Sequence, residues 1–173
     1  MSNLSILARS DGKFTRRLLD SAFFHEIENL NIVGMVSSDP TAQALTRARN
    51  LHVPTFVVDK RLFPNEASYG VALLNKLKDI DTDFVFVDDI MAVPACVAKH
   101  FGGRLLTVKL SPAGQSMEVL VYIMDAKGGM ASVSADAVVE LAEEDTQAAF
   151  AEKVYAAAEF LVLDAVSTYC EEA

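Results

Sequence analysis

The residues with the most chemical reach are few and scattered. Lys109 stands near the end of an apolar run and offers an ammonium for an oxyanion, a carboxylate or a phosphate. The plainer reading is a strand-end lysine that reaches solvent or pairs with Asp88 or Asp125. Thr107, two residues earlier, adds a hydroxyl. Asp88 and Asp89 are adjacent carboxylates that could share Mg²⁺, with Asp125 as a third ligand. On extended backbone, neighbours point to opposite faces, so the bland alternative is an Asx-type turn after a strand. Gly12-Lys13 follows one apolar run and precedes a helical one, where backbone amides can seat an anion or simply turn the chain. A P-loop needs glycine five residues before Gly-Lys, and that position is Leu7. No Gly-x-Gly-x-x-Gly or Gly-x-Ser-x-Gly stretch occurs, so dinucleotide and hydrolase-elbow readings have no anchor. His25, His52 and His100 have no metal-ligand spacing and read as helix-end or surface residues. Cys96 and Cys170 stand far apart and read as free buried thiols.

These groups need strands and helices to place them. Apolar runs over 4–8, 31–37, 53–58, 84–87 and 104–109 predict five strands. Between them, helical spacing predicts helices over 14–27, 41–50, 65–78 and 94–101, the last closed by Gly102-Gly103. Alternating strands and helices give a parallel sheet with helices on both faces. The pattern then changes. Segments 118–124 and 131–140, joined by Asp125–Gly129, predict an antiparallel hairpin. Glu143-Glu144-Asp145-Thr146 opens a long final helix to about Tyr169, with acids where the helix dipole favours them. The expected architecture is one domain over 1–173: an α/β, open, Rossmann-like, mostly parallel sheet with an antiparallel C-terminal hairpin and a long C-terminal helix. Ligands in such sheets bind beyond the carboxyl ends of the strands. Ala156, Ala157, Ala158 and Ala165 pack the last helix on the sheet or against a second copy in a homodimer.

Composition bounds the partners. The chain has 173 residues, of which 51% are apolar and 23% charged, so a packed core is expected rather than disorder. Lys plus Arg number 15 and Asp plus Glu 24, a net charge of −9 that argues against a broad nucleic-acid surface. No apolar run reaches the roughly 18 residues of a membrane helix, and no basic-then-apolar leader is evident at the start. A cytoplasmic protein with no membrane partner is the expectation.

The assembled segments resemble the formyltransferase family typified by glycinamide ribonucleotide transformylase. SILARSDGKFTRRLLD is similar to the family's opening strand and helix, and NIVGMVSSDPTAQALTRARNLHVPT to its second unit. DFVFVDDIMAVPACVAKHFGGRLLTVKLSP resembles its fourth and fifth strands, MDAKGG its closing hairpin, and ELAEEDTQAAFAEKV its last helix. The resemblance implies formyl transfer from 10-formyltetrahydrofolate to an amine. In that family an Asn and a His hydrogen-bond the oxyanion and an Asp moves protons. It also implies that the segment Asp88, Asp89, Ile90 and Met91 lines a folate pocket, with Ile90 and Met91 as an apolar wall.

The site positions depart from the family at each step. Thr107 stands at the Asn position, Lys109 at the His position and Lys127 at the Asp position, with Asp125 nearby but out of register. The phosphate-holding Gly-Ser-Asn is replaced by Gly12-Lys13-Phe14. A loop of roughly a dozen residues is missing, so Ser111–Gln115 runs almost directly into the next strand. The expectation is a formyltransferase fold without the Asn/His/Asp machinery, serving as a small-molecule-binding or interaction module. No cofactor is assigned from the residues, and 10-formyltetrahydrofolate belongs to the alternative, an enzyme with altered catalytic residues. The remnant pocket is expected around Gly12, Lys13, Asp88, Met91, Thr107, Lys109 and Asp125.

Overall fold

A computed structural model describes residues 1–88 and 92–173. Asp89, Ile90 and Met91 lie outside the described residues. The elements are β1 (Ser2–Ala8), α1 (Arg16–Phe23), β2 (Leu30–Ser37), α2 (Gln43–Asn50), β3 (Thr55–Val57) and a 3-10 turn (Lys60–Leu62). There follow α3 (Glu66–Asp79), β4 (Phe84–Val87), α4 (Ala95–Phe101), β5 (Leu105–Ala113), β6 (Ser116–Met124), β7 (Met130–Glu140) and α5 (Gln147–Glu172). The seven strands form one sheet in the order β3-β2-β1-β4-β5-β6-β7. β1 to β5 pair in parallel, while β5–β6 and β6–β7 are antiparallel. This is the expected open α/β sheet.

The period-two alternation of the buried strands explains the two cores. In β4, Phe84 and Phe86 point to one face and Val85 and Val87 to the other, all essentially inaccessible. The Phe face packs under α1, α2 and α5 with Leu4, Leu18, Leu45, Val121 and Val162. The Val face packs under α3 and α4 with Leu73, Leu77, Val97 and Phe101. Tyr169 of α5 stacks on Phe84 with ring centroids 4.2 Å apart. α3 and α5 are capped at their N-termini by Asn65 and Thr146, whose side chains accept from the Ser68 and Ala149 amides.

Several boundaries differ from the sequence reading, each for a physical reason. α1 covers Arg16–Phe23 rather than 14–27. Its expected first turn is tied to Asp88 instead, and His25, at φ 56°, ends it in the left-handed region. No acidic residue sits in the first turn of α5. Asp145 instead accepts from the Ala142 amide and from Lys153 Nζ. β5 runs to Ala113, well past the predicted end at Lys109. Only Gly114-Gln115 separates it from β6, and Gly114 supplies the positive φ, 62°, that a two-residue hairpin loop needs at its first position. That tight turn fixes the direction of β6, which decides where the Asp125 loop goes.

Candidate functional site

The strand order reverses between β1 and β4, so the crevice beyond their carboxyl ends is where a doubly wound sheet offers a ligand site. Gly12 and Lys13 follow β1, Asp88 follows β4, and Thr107 and Lys109 lie on β5. The structure brings these five to one end of the sheet.

Asp88 is completely buried, and its carboxylate is committed to the β1–α1 loop. Oδ1 accepts from the Phe14 amide at 3.3 Å, and Oδ2 accepts from Thr15 Oγ1 at 2.7 Å. The Asp88 amide donates to the Leu7 carbonyl at 2.7 Å. Gly12, at φ 65°, passes so close to α2 that a Cβ would stand 2.9 Å from the Ala44 Cβ. Arg47 of α2 donates to the carbonyls of Asp11 and Gly12 and pairs with the Asp11 carboxylate at 3.2 Å. This polar cluster ties the β1–α1 loop to β4 and α2, and Asp89, the other half of the expected Mg²⁺ pair, lies outside the described residues.

Thr107 is 5% exposed, and its hydroxyl donates to the Val87 carbonyl at 3.0 Å, tying β5 to β4. Lys109 is exposed and makes no ion pair among the described residues. The pairings expected for it do not form. Asp88 is occupied inside, and Asp125 lies at the opposite end of the sheet.

That placement of Asp125 is the main correction to the expected pocket. Lys109 pairs with Leu120 in β6, while Met124 pairs with Leu105, at the start of β5. Asp125 therefore lies five residues along β6 from the partner of Lys109, about 17 Å away at the usual strand rise. The Gly103 amide, at the end of α4, donates to the Met124 carbonyl and marks this as the amino-terminal end of β5. There Asp125 Oδ1 accepts from the Lys127 and Gly129 amides at 2.8 and 2.9 Å. Those amides, Gly129 first, hold its carboxyl below the usual carboxylate range. Lys127 is exposed in the same turn. Neither residue belongs with Lys109.

A cleft of about 610 Å³ runs between the β1–α1 loop and α5, lined by Asp11, Lys13, Arg16, Glu152, Tyr155 and Glu159. Lys13 Nζ sits 4.8 Å from the centre of the Tyr155 ring, a cation–π contact that lays the lysine across the mouth. Arg16 pairs with Asp11 at 3.2 Å. Burial raises the pKa of Glu159, against the lowering pull of Arg16, Arg17 and Arg47. A second cleft of about 410 Å³, beside Arg9, Asp39 and Thr41, shares Asp11 and Lys13 with the first. The sequence reading found Lys13 but missed Arg16, Glu152, Tyr155 and Glu159. The only trace of them was a helix face carrying Glu152, Tyr155 and Glu159 at helical spacing, and nothing local aims that face at Lys13.

The remaining candidates are peripheral. His25 and His52 follow the ends of α1 and α2, and His100 lies in the last turn of α4 with its pKa lowered, by burial first. Among the described residues no group of three or more His, Cys, Asp or Glu is placed to hold a metal. Cys96 is a half-buried and Cys170 a buried free thiol. No described helix is long and apolar enough to cross a membrane. Ala158 and Ala165 are buried under the sheet, Ala157 is half-buried and Ala156 is exposed.

Comparison with solved structures adds the fold's relatives. Glycinamide ribonucleotide transformylase 1 from Symbiobacterium toebii superposes with a TM-score of 0.89 at 19% identity, over 99% of this chain and 89% of that one. The same enzyme from Geobacillus kaustophilus gives 0.89 at 18% identity, over 98% of this chain and 99% of that one. The fold is that of the glycinamide ribonucleotide transformylases. A formyltetrahydrofolate deformylase from Pseudomonas putida KT2440 shares it, with a TM-score of 0.85 at 11% identity, over 99% of this chain and 66% of that one. By sequence, no protein-family model and no curated protein matches the chain. At such identities the formyltransferase fold is shared, and each site residue is judged on its own geometry.

Proposed function

We infer that this formyltransferase-fold protein binds a small molecule without transferring a formyl group. The observation that carries this reading is the dispersal of the chemical groups. Asp88 and Thr107 are spent on internal hydrogen bonds, Asp125 and Lys127 lie at the far end of the sheet, and Lys109 has no carboxylate partner among the described residues. An acyl-transfer site needs oxyanion donors and a proton acceptor within hydrogen-bond reach of one reacting atom. The ligand's place is the cleft between the β1–α1 loop and α5. Lys13 and Arg16 on one wall and Glu152 and Glu159 on the other suit a small molecule carrying both an anionic and a cationic group.

The alternative is a folate-dependent formyltransferase with altered residues. The shared fold and the exposed ammonium of Lys109 favour it, with Lys109 as the oxyanion's partner. Asp125 has no part in it. A homodimer is compatible with either reading. Its surface on α5 would be the exposed Phe160 and Ala156, since Ala158 and Ala165 are committed to the core. Light scattering on the eluting protein measures that state.

Calorimetric titration with a stable 10-formyltetrahydrofolate analogue separates the two functions. No heat at millimolar analogue supports the binding module with a repurposed cleft. Saturable micromolar binding overturns it in favour of the altered transferase.

A further inference from the structure

β7 ends the sheet and is its most exposed strand. No described backbone group outside the β6–β7 ladder hydrogen-bonds to it, so its outer row of N–H and C=O groups is open to a further strand. Folded proteins usually blunt such an edge with lysine, proline, bulges or a covering element. β7 has no lysine and no proline. Its register shifts leave Ala131 and Ser134 as extra residues, which roughens only the first half. Ala135–Glu140 pairs regularly with Val121–Ser116.

The side chains of that regular stretch describe the partner. Ala135, Ala137 and Val139 face the α5 core. Asp136, Val138 and Glu140 therefore point to the other face. Val138 is 61% exposed, and Glu118 of β6 stands directly across from it. An apolar side chain is thus ringed by Asp136, Glu140 and Glu118, none of which makes an ion pair among the described residues. Lys109 lies on the same face two strands away, about 10 Å, and does not neutralise them. A second copy of β7 would bring the same acids against them and add repulsion.

We propose that β7 is a strand-addition site for an extended segment of a partner protein that alternates Lys or Arg with an aliphatic residue on one face. Backbone pairing along Ala135–Glu140 supplies the attachment. The cations lie opposite Asp136 and Glu140, and the aliphatic side chain lies on Val138. The site is independent of the cleft beside α5 and of whether formyl transfer occurs.

The test uses the full chain and a dye-labelled, end-blocked peptide, Lys-Thr-Val-Thr-Lys, read by fluorescence anisotropy. Saturable binding is expected at low salt, lost where the Debye length falls to about 3 Å. Asp136→Lys and Val138→Lys, both at exposed positions, are each expected to weaken binding about fivefold or more with the melting temperature unchanged. Equal binding of Glu-Thr-Val-Thr-Glu overturns the charge assignment. No binding at millimolar peptide overturns the site. Self-association in sedimentation that Val138→Lys abolishes overturns it in favour of a second copy.

Discussion

The two halves of the sheet treat polar groups in opposite ways. Around β1 and β4, helices cover both faces, and among the described residues no buried polar side-chain atom lacks a partner. Asp88 holds the Phe14 amide and the Thr15 hydroxyl, and Thr107 holds the Val87 carbonyl. Toward β6 and β7, α5 covers one face, and on the other face Glu118, Asp136, Glu140 and Lys109 of neighbouring β5 make no ion pair among the described residues. The difference teaches where function can reside. A buried carboxylate at a strand end stabilises the loop it clamps, whereas groups exposed at the sheet edge stand where a partner can reach them.

Substitutions along this divide should show it. The largest effect is expected in the doubly covered core, where Phe86→Ala costs about 4 kcal/mol in urea unfolding, while Val138→Ala on β7 stays within about 0.5 kcal/mol. Comparable losses at both would erase the contrast. Next comes Asp88→Ala, which strands a buried amide and a hydroxyl and is expected to cost about 3 kcal/mol. Unchanged stability there would mean that the carboxylate is not the clamp described. Thr107→Val keeps the shape and frees one buried carbonyl, for about 1 kcal/mol.

Acid titration sharpens the same comparison. Asp145 is held below its ordinary value of 3.8 by Lys153 first and the Ala142 amide second. Its folded pKa is lowered, so its contribution is present above 3.8 and is lost as pH falls through the folded value. Asp145→Ala should flatten the fall of the denaturation midpoint in that acid window and leave the slope near neutrality untouched.

Much of the fold was legible because its strands are dense in Val, Ile, Leu and Phe and its helices keep an apolar face. Phe84–Val87 needed no context to be read as a buried strand. The start of α1 was not legible, because the groups of its expected first turn are claimed by Asp88, far along the chain. The extra length of β5 was hidden by Pro112, a residue that argues against a strand interior and is tolerated here beside a tight hairpin. Asp125 was misplaced for a topological reason. It is near Lys109 in sequence, but a two-residue turn at Gly114 sends β6 back along β5 and carries it to the other end. Lys13 was found because it follows a strand, and its cleft partners on α5 were not, because only tertiary packing joins them.

We propose that this formyltransferase fold lacks a working formyl-transfer site. The most direct measurement is a single-turnover assay with concentrated protein, 10-formyltetrahydrofolate and glycinamide ribonucleotide, followed by mass detection of the formylated amine. The account predicts no product above the protein-free reaction, and the same result for Lys109→Ala. Product formed by the native chain and lost in a folded Lys109→Ala variant would contradict it and place the chemistry on β5.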